Sequence, residues 1–169
     1  MPHVVDKELL NKTSERLKTL HATIATAESC TGGMLASLLT DIPGSSDYFD
    51  RGVITYSNQS KTDLLDVPTK TLKDHGAVSE QTARAMATGI RTHAATTYGI
   101  ATTGIAGPGG GTSTKPVGLI YIAVATPETT VVRRFQFNGD RLHNKDSACT
   151  EALILLNELL PLRCSRAND

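Results

Sequence analysis

Apolar and polar positions change period along the chain, and each change marks an element. Over residues 6–20, Leu9, Leu10, Thr13, Leu17 and Leu20 recur at helical spacing with charges between them, predicting an amphipathic helix. The run His21-Ala22-Thr23-Ile24-Ala25 predicts a first strand over about 22–27, and Met34 to Leu39 predicts a helix ending near Thr40. Asp41-Ile42-Pro43-Gly44-Ser45-Ser46 is a breaker cluster and therefore a loop. Arg51 to Tyr56, rich in β-branched residues, reads as the second strand. A polar segment from Ser57 to Lys61 turns into a short helix through Leu65, and another runs from about Val67 to His75-Gly76, glycine being the stop. Ser79-Glu80-Gln81-Thr82 approximates a capping box. The long helix behind it carries Ala83, Met86, Ala87, Ile90 and Ala94 on one face.

The second half of the chain is strand-rich. Tyr98 to Thr103 reads as a third strand, and the nearly all-apolar run Val117 to Thr126 as a central one. After a tight turn at Pro127-Glu128, Thr130 to Phe137 alternates as a half-buried or edge strand does. Asp140 is placed to cap a last helix whose stripe is Ala148, Ala152, Leu155, Leu156 and Leu159, with Pro161 ending it before a polar tail. Five strands and five or six helices predict a three-layer α/β/α fold with a mixed, mostly parallel five-stranded sheet, the final hairpin supplying the antiparallel member.

Composition adds bounds. The 169 residues suit a single domain, with its core over about 6–160, and show no repeat, linker or composition break. Lys plus Arg number 17 and Asp plus Glu number 17, so no net charge favours nucleic acid or an anionic membrane. No apolar run approaches the roughly 20 residues that span a bilayer, and Asp6, Lys7 and Glu8 stand where a secretory signal would be apolar. Cys30, Cys149 and Cys164 are odd in number and widely spaced, which fits a reducing cytoplasm better than a disulfide framework or a zinc site.

The candidate chemistry centres on Thr26-Ala27-Glu28-Ser29-Cys30-Thr31-Gly32-Gly33. A strand ending at a serine before a helix puts a hydroxyl at the carboxyl edge of the sheet, where open α/β folds bind ligands. Ser29 is a candidate nucleophile; the alternative is that Ser29 or Thr31 caps the helix. Cys30 competes as nucleophile or is a small buried residue. None of the five histidines follows directly on a strand end. Lys61 does lie just beyond the second strand, five residues after Tyr56. If that strand runs parallel beside the first, Ser29, Tyr56 and Lys61 share one edge, and a poorly solvated amine can act as base. The competing reading is a solvated lysine and a strand-end tyrosine. Five glycines between Gly104 and Gly111 suit either a phosphate-contacting loop or a hairpin-like connection.

Seven motifs occur in order: Ala27-Glu28-Ser29-Cys30-Thr31-Gly32-Gly33, Gly52-Val53-Ile54-Thr55-Tyr56-Ser57-Asn58, Lys61, His75-Gly76-Ala77-Val78-Ser79, Gly104-Ile105-Ala106-Gly107-Pro108, Lys115-Pro116-Val117-Gly118 and Gly139-Asp140-Arg141. Together they resemble the CinA C-terminal domain family, which includes nicotinamide mononucleotide deamidases, over nearly the whole chain. The resemblance implies hydrolysis of nicotinamide mononucleotide to nicotinic acid mononucleotide and ammonia in pyridine nucleotide salvage. It implies Ser29, Tyr56 and Lys61 as the catalytic residues and no metal or cofactor. N–H groups around Cys30, Thr31 and Gly32 are then expected to hold the oxyanion. Gly44, Ser45, Ser46, Thr103, Gly104 and Arg141 are expected to contact the nucleotide, part of the site coming from a neighbouring subunit of a homo-oligomer. Some family members carry a second, N-terminal domain related to molybdopterin-binding proteins; this chain resembles the stand-alone deamidases.

Overall fold

The computed structural model describes residues 5–162. His3, Cys164 and most of the polar tail lie outside the described residues. The chain forms α1 (Lys7–Thr19), β1 (Ile24–Glu28), α2 (Met34–Thr40), a single 3-10 turn (Ser45–Asp47), β2 (Phe49–Ile54), α3 (Asn58–Leu65), α4 (Thr69–His75), α5 (Glu80–Ala94), β3 (Tyr98–Gly104), β4 (Leu119–Ala125), β5 (Thr130–Gln136) and α6 (Arg141–Leu159). The strands make one sheet in the order β2-β1-β3-β4-β5. β1 pairs in parallel with β2 and β3, while β4 runs antiparallel to both β3 and β5.

The strands sort large and small residues by face. Ile24, Ile100, Ile120, Ile122 and Val124 point to one side, into a core completed by α1, α2 and α6. Ala25, Ala27, Ala101, Ala123 and Ala125 point to the other, beneath α5 and the end of α3. This is the period-2 alternation of a strand buried on both faces. The alanine face lets α5 lie close: a Cβ at Gly99 would come within 2.4 Å of the Ala87 carbonyl oxygen.

Capping is as expected from the sequence at Ser79 and Asp140. Asp6, Ser57, Ser79 and Asp140 each accept a hydrogen bond from a backbone N–H in the first turn of the next helix. α2 is different, since its N-cap is Gly33 at φ 95, which has no side chain to offer. Several element boundaries differ from expectation by one or two residues. β2 begins and ends two residues earlier, leaving Tyr56 beyond the strand. β1 extends to Glu28. β4 starts at Leu119, because Gly118 sits at φ 89, outside strand geometry. Among the described residues no helix is long and apolar enough to cross a membrane.

Candidate active site

The site is built where β1 and β2 end side by side. Glu28 is paired with Ile54 on one side and Thr102 on the other. Past the ends of the strands the Thr55 N–H donates to the Glu28 carbonyl at 2.9 Å, and the Ser29 N–H to the Thr102 carbonyl at 2.9 Å. Ser29 is thus fixed by the last rung of the ladder while its side chain stands at the carboxyl edge of the sheet. The chain then turns through Gly32 (φ 61) and Gly33 (φ 95), left-handed conformations that cost glycine little.

Lys61 arrives from the neighbouring strand. Ser57 caps α3, and one turn later Lys61 faces inward with no exposed surface. Its Nζ lies 3.1 Å from Ser29 Oγ and donates to the Thr55 carbonyl at 2.7 Å and the Tyr56 carbonyl at 3.3 Å. The solvated-lysine reading is therefore overturned. A neutral amine has two N–H groups and one lone pair. In the neutral form two carbonyls would occupy the donors and leave the lone pair for the Ser29 hydroxyl proton, whereas in the charged form the third N–H donates to Ser29 Oγ. Burial pushes the Lys61 amine below its ordinary value, an effect the neighbouring Cys30 opposes in part.

Ser29 and Lys61 open into a pocket of about 180 Å³, also lined by Cys30, Tyr56, Ala77, Val78, Thr103, Gly104, Ala106 and Arg141. Tyr56 and Arg141 form its mouth. The Arg141 guanidinium donates to the Tyr56 hydroxyl at 3.1 Å and to the Gly107 carbonyl at 2.6 Å. Tyr56 is 62% exposed: its backbone carbonyl holds Lys61, whereas its phenol faces Arg141. A larger recess of about 610 Å³ between α1 and the end of α6 includes none of the residues singled out for chemistry.

Other expected residues fall elsewhere. The cap reading of Ser29 and Thr31 does not hold, because α2 starts only at Met34 and Glu28 serves it. The Thr31 hydroxyl, fully buried, donates to Glu28. The Gly32 N–H is committed to the Ser29 carbonyl at 3.2 Å, so the Cys30 and Thr31 amides are the remaining oxyanion candidates. Burial pushes the Cys30 thiol up to about 12, far from a nucleophile's range. Thr103 lines the pocket, but its hydroxyl donates to the Ala77 carbonyl at 2.8 Å. Gly44, Ser45 and Ser46 precede β2, whose first residue pairs with the start of β1. They stand at the opposite edge of the sheet, about 15 Å away along a five-residue strand. The glycine-rich segment connects the antiparallel strands β3 and β4, the hairpin-like alternative, with Gly104 and Ala106 at the pocket.

The family model for the CinA C-terminal domain matches residues 6–160. This chain belongs to the CinA C-terminal domain family. A CinA-like protein of Chloroherpeton thalassium is 50% identical over 159 residues, covering 92% of this chain and 38% of the relative. One from Syntrophus aciditrophicus is 48% identical over 156 residues, covering 92% and 37%. The chain therefore spans under two-fifths of the length of these curated relatives. Among solved structures, the competence/damage inducible protein CihA from Agrobacterium tumefaciens superposes with a TM-score of 0.88 at 40% identity, covering 90% of this chain and 93% of that one. A CinA superfamily protein from Escherichia coli gives 0.88 at 34%, covering 91% and 90%.

Within this CinA C-terminal domain, several residues at the site carried no assigned role in the sequence. Ala77, Val78 and Ala106 form apolar walls. Thr102 and Glu28 form a buried hydrogen-bond network with Thr31, at 2.7 Å and 2.6 Å. All but Thr102 stand inside the segments that carry the family resemblance, but nothing in a lone alanine or a glutamate marks it as part of a pocket.

Proposed function

We propose that this domain is an amidohydrolase that deamidates nicotinamide mononucleotide to nicotinic acid mononucleotide and ammonia. The observation that supports it is the 3.1 Å approach of a buried Lys61 amine to the Ser29 hydroxyl, with neutral carbonyls on the other donors. That is the arrangement of an activated nucleophile with its base.

In this mechanism Lys61, as free amine, takes the Ser29 proton as Oγ attacks the carboxamide carbon of the nicotinamide ring. The oxyanion is held by the Cys30 and Thr31 amides. Collapse of the tetrahedral species breaks the C–N bond, and Lys61 returns the proton to the departing ammonia. Water then attacks the acyl-Ser29 ester, its proton passing to Lys61 and on to Ser29 Oγ as the carboxylate leaves. The phenol of Tyr56, at the mouth, holds Arg141 rather than the amine.

The pocket volume supports a division of the substrate. Sites that enclose a whole drug-sized ligand run from about 300 Å³ upward, and this one is about 180 Å³. It suits the flat ring and its amide, with the ribose phosphate outside, within reach of Arg141. In one chain Gly44 to Ser46 cannot serve that phosphate; in a homo-oligomer they would serve a neighbouring copy. The small pocket equally suits a Ser/Lys amidase for another small amide. The test is ammonia and nicotinic acid mononucleotide formation by wild type, Ser29→Ala and Lys61→Ala, with other small aromatic amides alongside. Turnover surviving in Ser29→Ala would discard the nucleophile, and preference for a phosphate-free amide would discard the nucleotide.

A further inference from the structure

We infer that Glu28 is a positioning residue for the Ser29 nucleophile: its buried carboxylate cinches the loop that carries Ser29 by capping α2 from before the turn. The inference rests on the reading of Ser29 as nucleophile.

Glu28 is 1% exposed. Its Oε1 accepts from the Thr31 hydroxyl at 2.6 Å and from the Leu35 N–H at 2.8 Å, and Oε2 accepts from the Ala36 N–H at 3.1 Å. Leu35 and Ala36 are the second and third residues of α2, whose amides a capping side chain ordinarily satisfies. Gly33, the N-cap, has no side chain, and glycine is what lets the chain turn there at φ 95. The capping group has therefore moved five residues upstream. Ser29 to Gly33 are closed into a loop between the Glu28 backbone, held in the sheet, and the Glu28 carboxylate, held on the helix.

Two consequences bear on chemistry. First, the leading amides of α2 are spent on Glu28, so the positive end of that helix meets a resident carboxylate rather than a substrate oxyanion. Stabilisation of the oxyanion falls to the loop amides, whose direction Glu28 sets. Second, the Thr31 hydroxyl has one proton and gives it to Glu28. In the 2.7 Å contact between Thr31 and Thr102 the donor is then Thr102. The same Thr102 accepts the Ser29 N–H through its carbonyl at 2.9 Å. Both the strand-side and helix-side tethers of Ser29 thus run to one buried carboxylate. Misplacing a reacting atom by about 1 Å can cost on the order of 100-fold in rate.

Glu28→Gln is the diagnostic change because size is kept. The amide oxygen can still accept from Thr31 and Leu35, but the NH2 group then meets the Ala36 N–H, donor against donor. The readouts are kcat and KM for nicotinamide mononucleotide, the rate of Ser29 modification by a fluorophosphonate, thermal midpoint, and hydrogen exchange of the 29–32 amides. Ile90→Val, in the core on the opposite face of the sheet, is the stability control. The expected result for Glu28→Gln is a fall in kcat and labelling rate of about 10- to 100-fold, KM within about twofold, and faster exchange confined to residues 29–32. Ile90→Val should lose midpoint but neither rate. Rates in Glu28→Gln equal to wild type, or losses that Ile90→Val reproduces at the same midpoint, would overturn the inference alone. Labelling and turnover that persist in Ser29→Ala would sink the nucleophile reading and this inference with it.

Discussion

Lys61 Nζ stands 3.1 Å from Ser29 Oγ, and its other two partners are the backbone carbonyls of Thr55 and Tyr56. An amine bonded only to neutral oxygens in a buried site gains little from its charge. Burial lowers its affinity for the proton relative to an exposed lysine, which is the direction a base requires. General base catalysis contributes on the order of 10² to 10⁴ in rate. Lys61→Met should therefore lower kcat by at least about 100-fold while the protein stays folded, and Ser29→Ala should do at least as much. Steady-state kinetics on both variants, with circular dichroism as the folding check, decide this; a Lys61→Met variant within tenfold of wild type would remove Lys61 from the mechanism.

The same burial gives two pH dependences with one sign. Lys61 is lowered from the ordinary 10.5 by desolvation, and it must be neutral to act. The ratio kcat/KM should rise with pH along a single limb centred below 10.5, and a flat profile from pH 5 to 10 would sink the assignment. For stability, the unfolded chain titrates Lys61 near its ordinary value and the folded chain at a lower one. Between those two values the unfolded state holds the extra proton, so folding stability rises with pH there. Thermal midpoints of wild type relative to Lys61→Met should climb across that window and level off on either side of it.

Much of this arrangement is legible in the sequence, and the limits are instructive. The strands were readable from β-branched content, a nearly all-apolar run and apolar/polar alternation, and the caps Ser79 and Asp140 because their chemistry is local. The edge shared by Ser29 and Lys61 needed only a parallel β1–β2 pair, as observed. What escaped was non-local. Glu28 caps a helix that starts six residues later, so its role depends on the turn closing. Tyr56 could be placed at the site, but which of its two polar ends meets Lys61 depends on a backbone rotation that no pattern encodes. Gly44 to Ser46 were readable as a loop and, with the family resemblance, expected to contact the nucleotide, yet the direction of β2 carries them to the far edge of the sheet.

Arg141 ties the mouth together through the Tyr56 hydroxyl and the Gly107 carbonyl. A substrate phosphate would replace those neutral acceptors with charged oxygens, which form stronger, often bidentate, contacts to a guanidinium. Hydrogen bonds to charged groups contribute about 1.5–3 kcal/mol, equivalent to roughly 10- to 150-fold. Arg141→Ala should raise KM for the nucleotide by about that factor and leave nicotinamide riboside, which lacks the phosphate, nearly unaffected. Equal losses on both substrates would mean that Arg141 acts through the shape of the mouth instead.

Gly104 shows how tightly the pocket floor is built. A Cβ there would stand 2.6 Å from the Leu119 carbonyl oxygen, 2.6 Å from Ile120 Cγ1 and 2.7 Å from Ile120 Cα. Two of those atoms are backbone of the paired strand β4 and cannot swing aside. Gly104→Ala should cost about 1–3 kcal/mol, the usual penalty of overpacking. For a domain of this size that corresponds to a midpoint lower by roughly 2–12 °C. Differential scanning calorimetry measures it, and an unchanged midpoint would show that β3 and β4 separate more readily here than their pairing suggests.

Cys30 follows Ser29 directly and lines the same pocket, so it is the competing assignment for the nucleophile. Burial raises its thiol to about 12. At pH 8 the reactive thiolate is then on the order of one part in 10⁴, since each pKa unit is a factor of ten. The side chain is 5% exposed and packs into the core with α2 and α6. Iodoacetamide at pH 8 should leave Cys30 unmodified for hours in the folded protein and alkylate it after denaturation, read by peptide mass spectrometry. Cys30→Ala should keep kcat within about threefold, because it removes a small buried group and no reacting atom. Rapid alkylation of the native protein, or loss of turnover in Cys30→Ala together with its retention in Ser29→Ala, would transfer the nucleophile's role from the hydroxyl to the thiol.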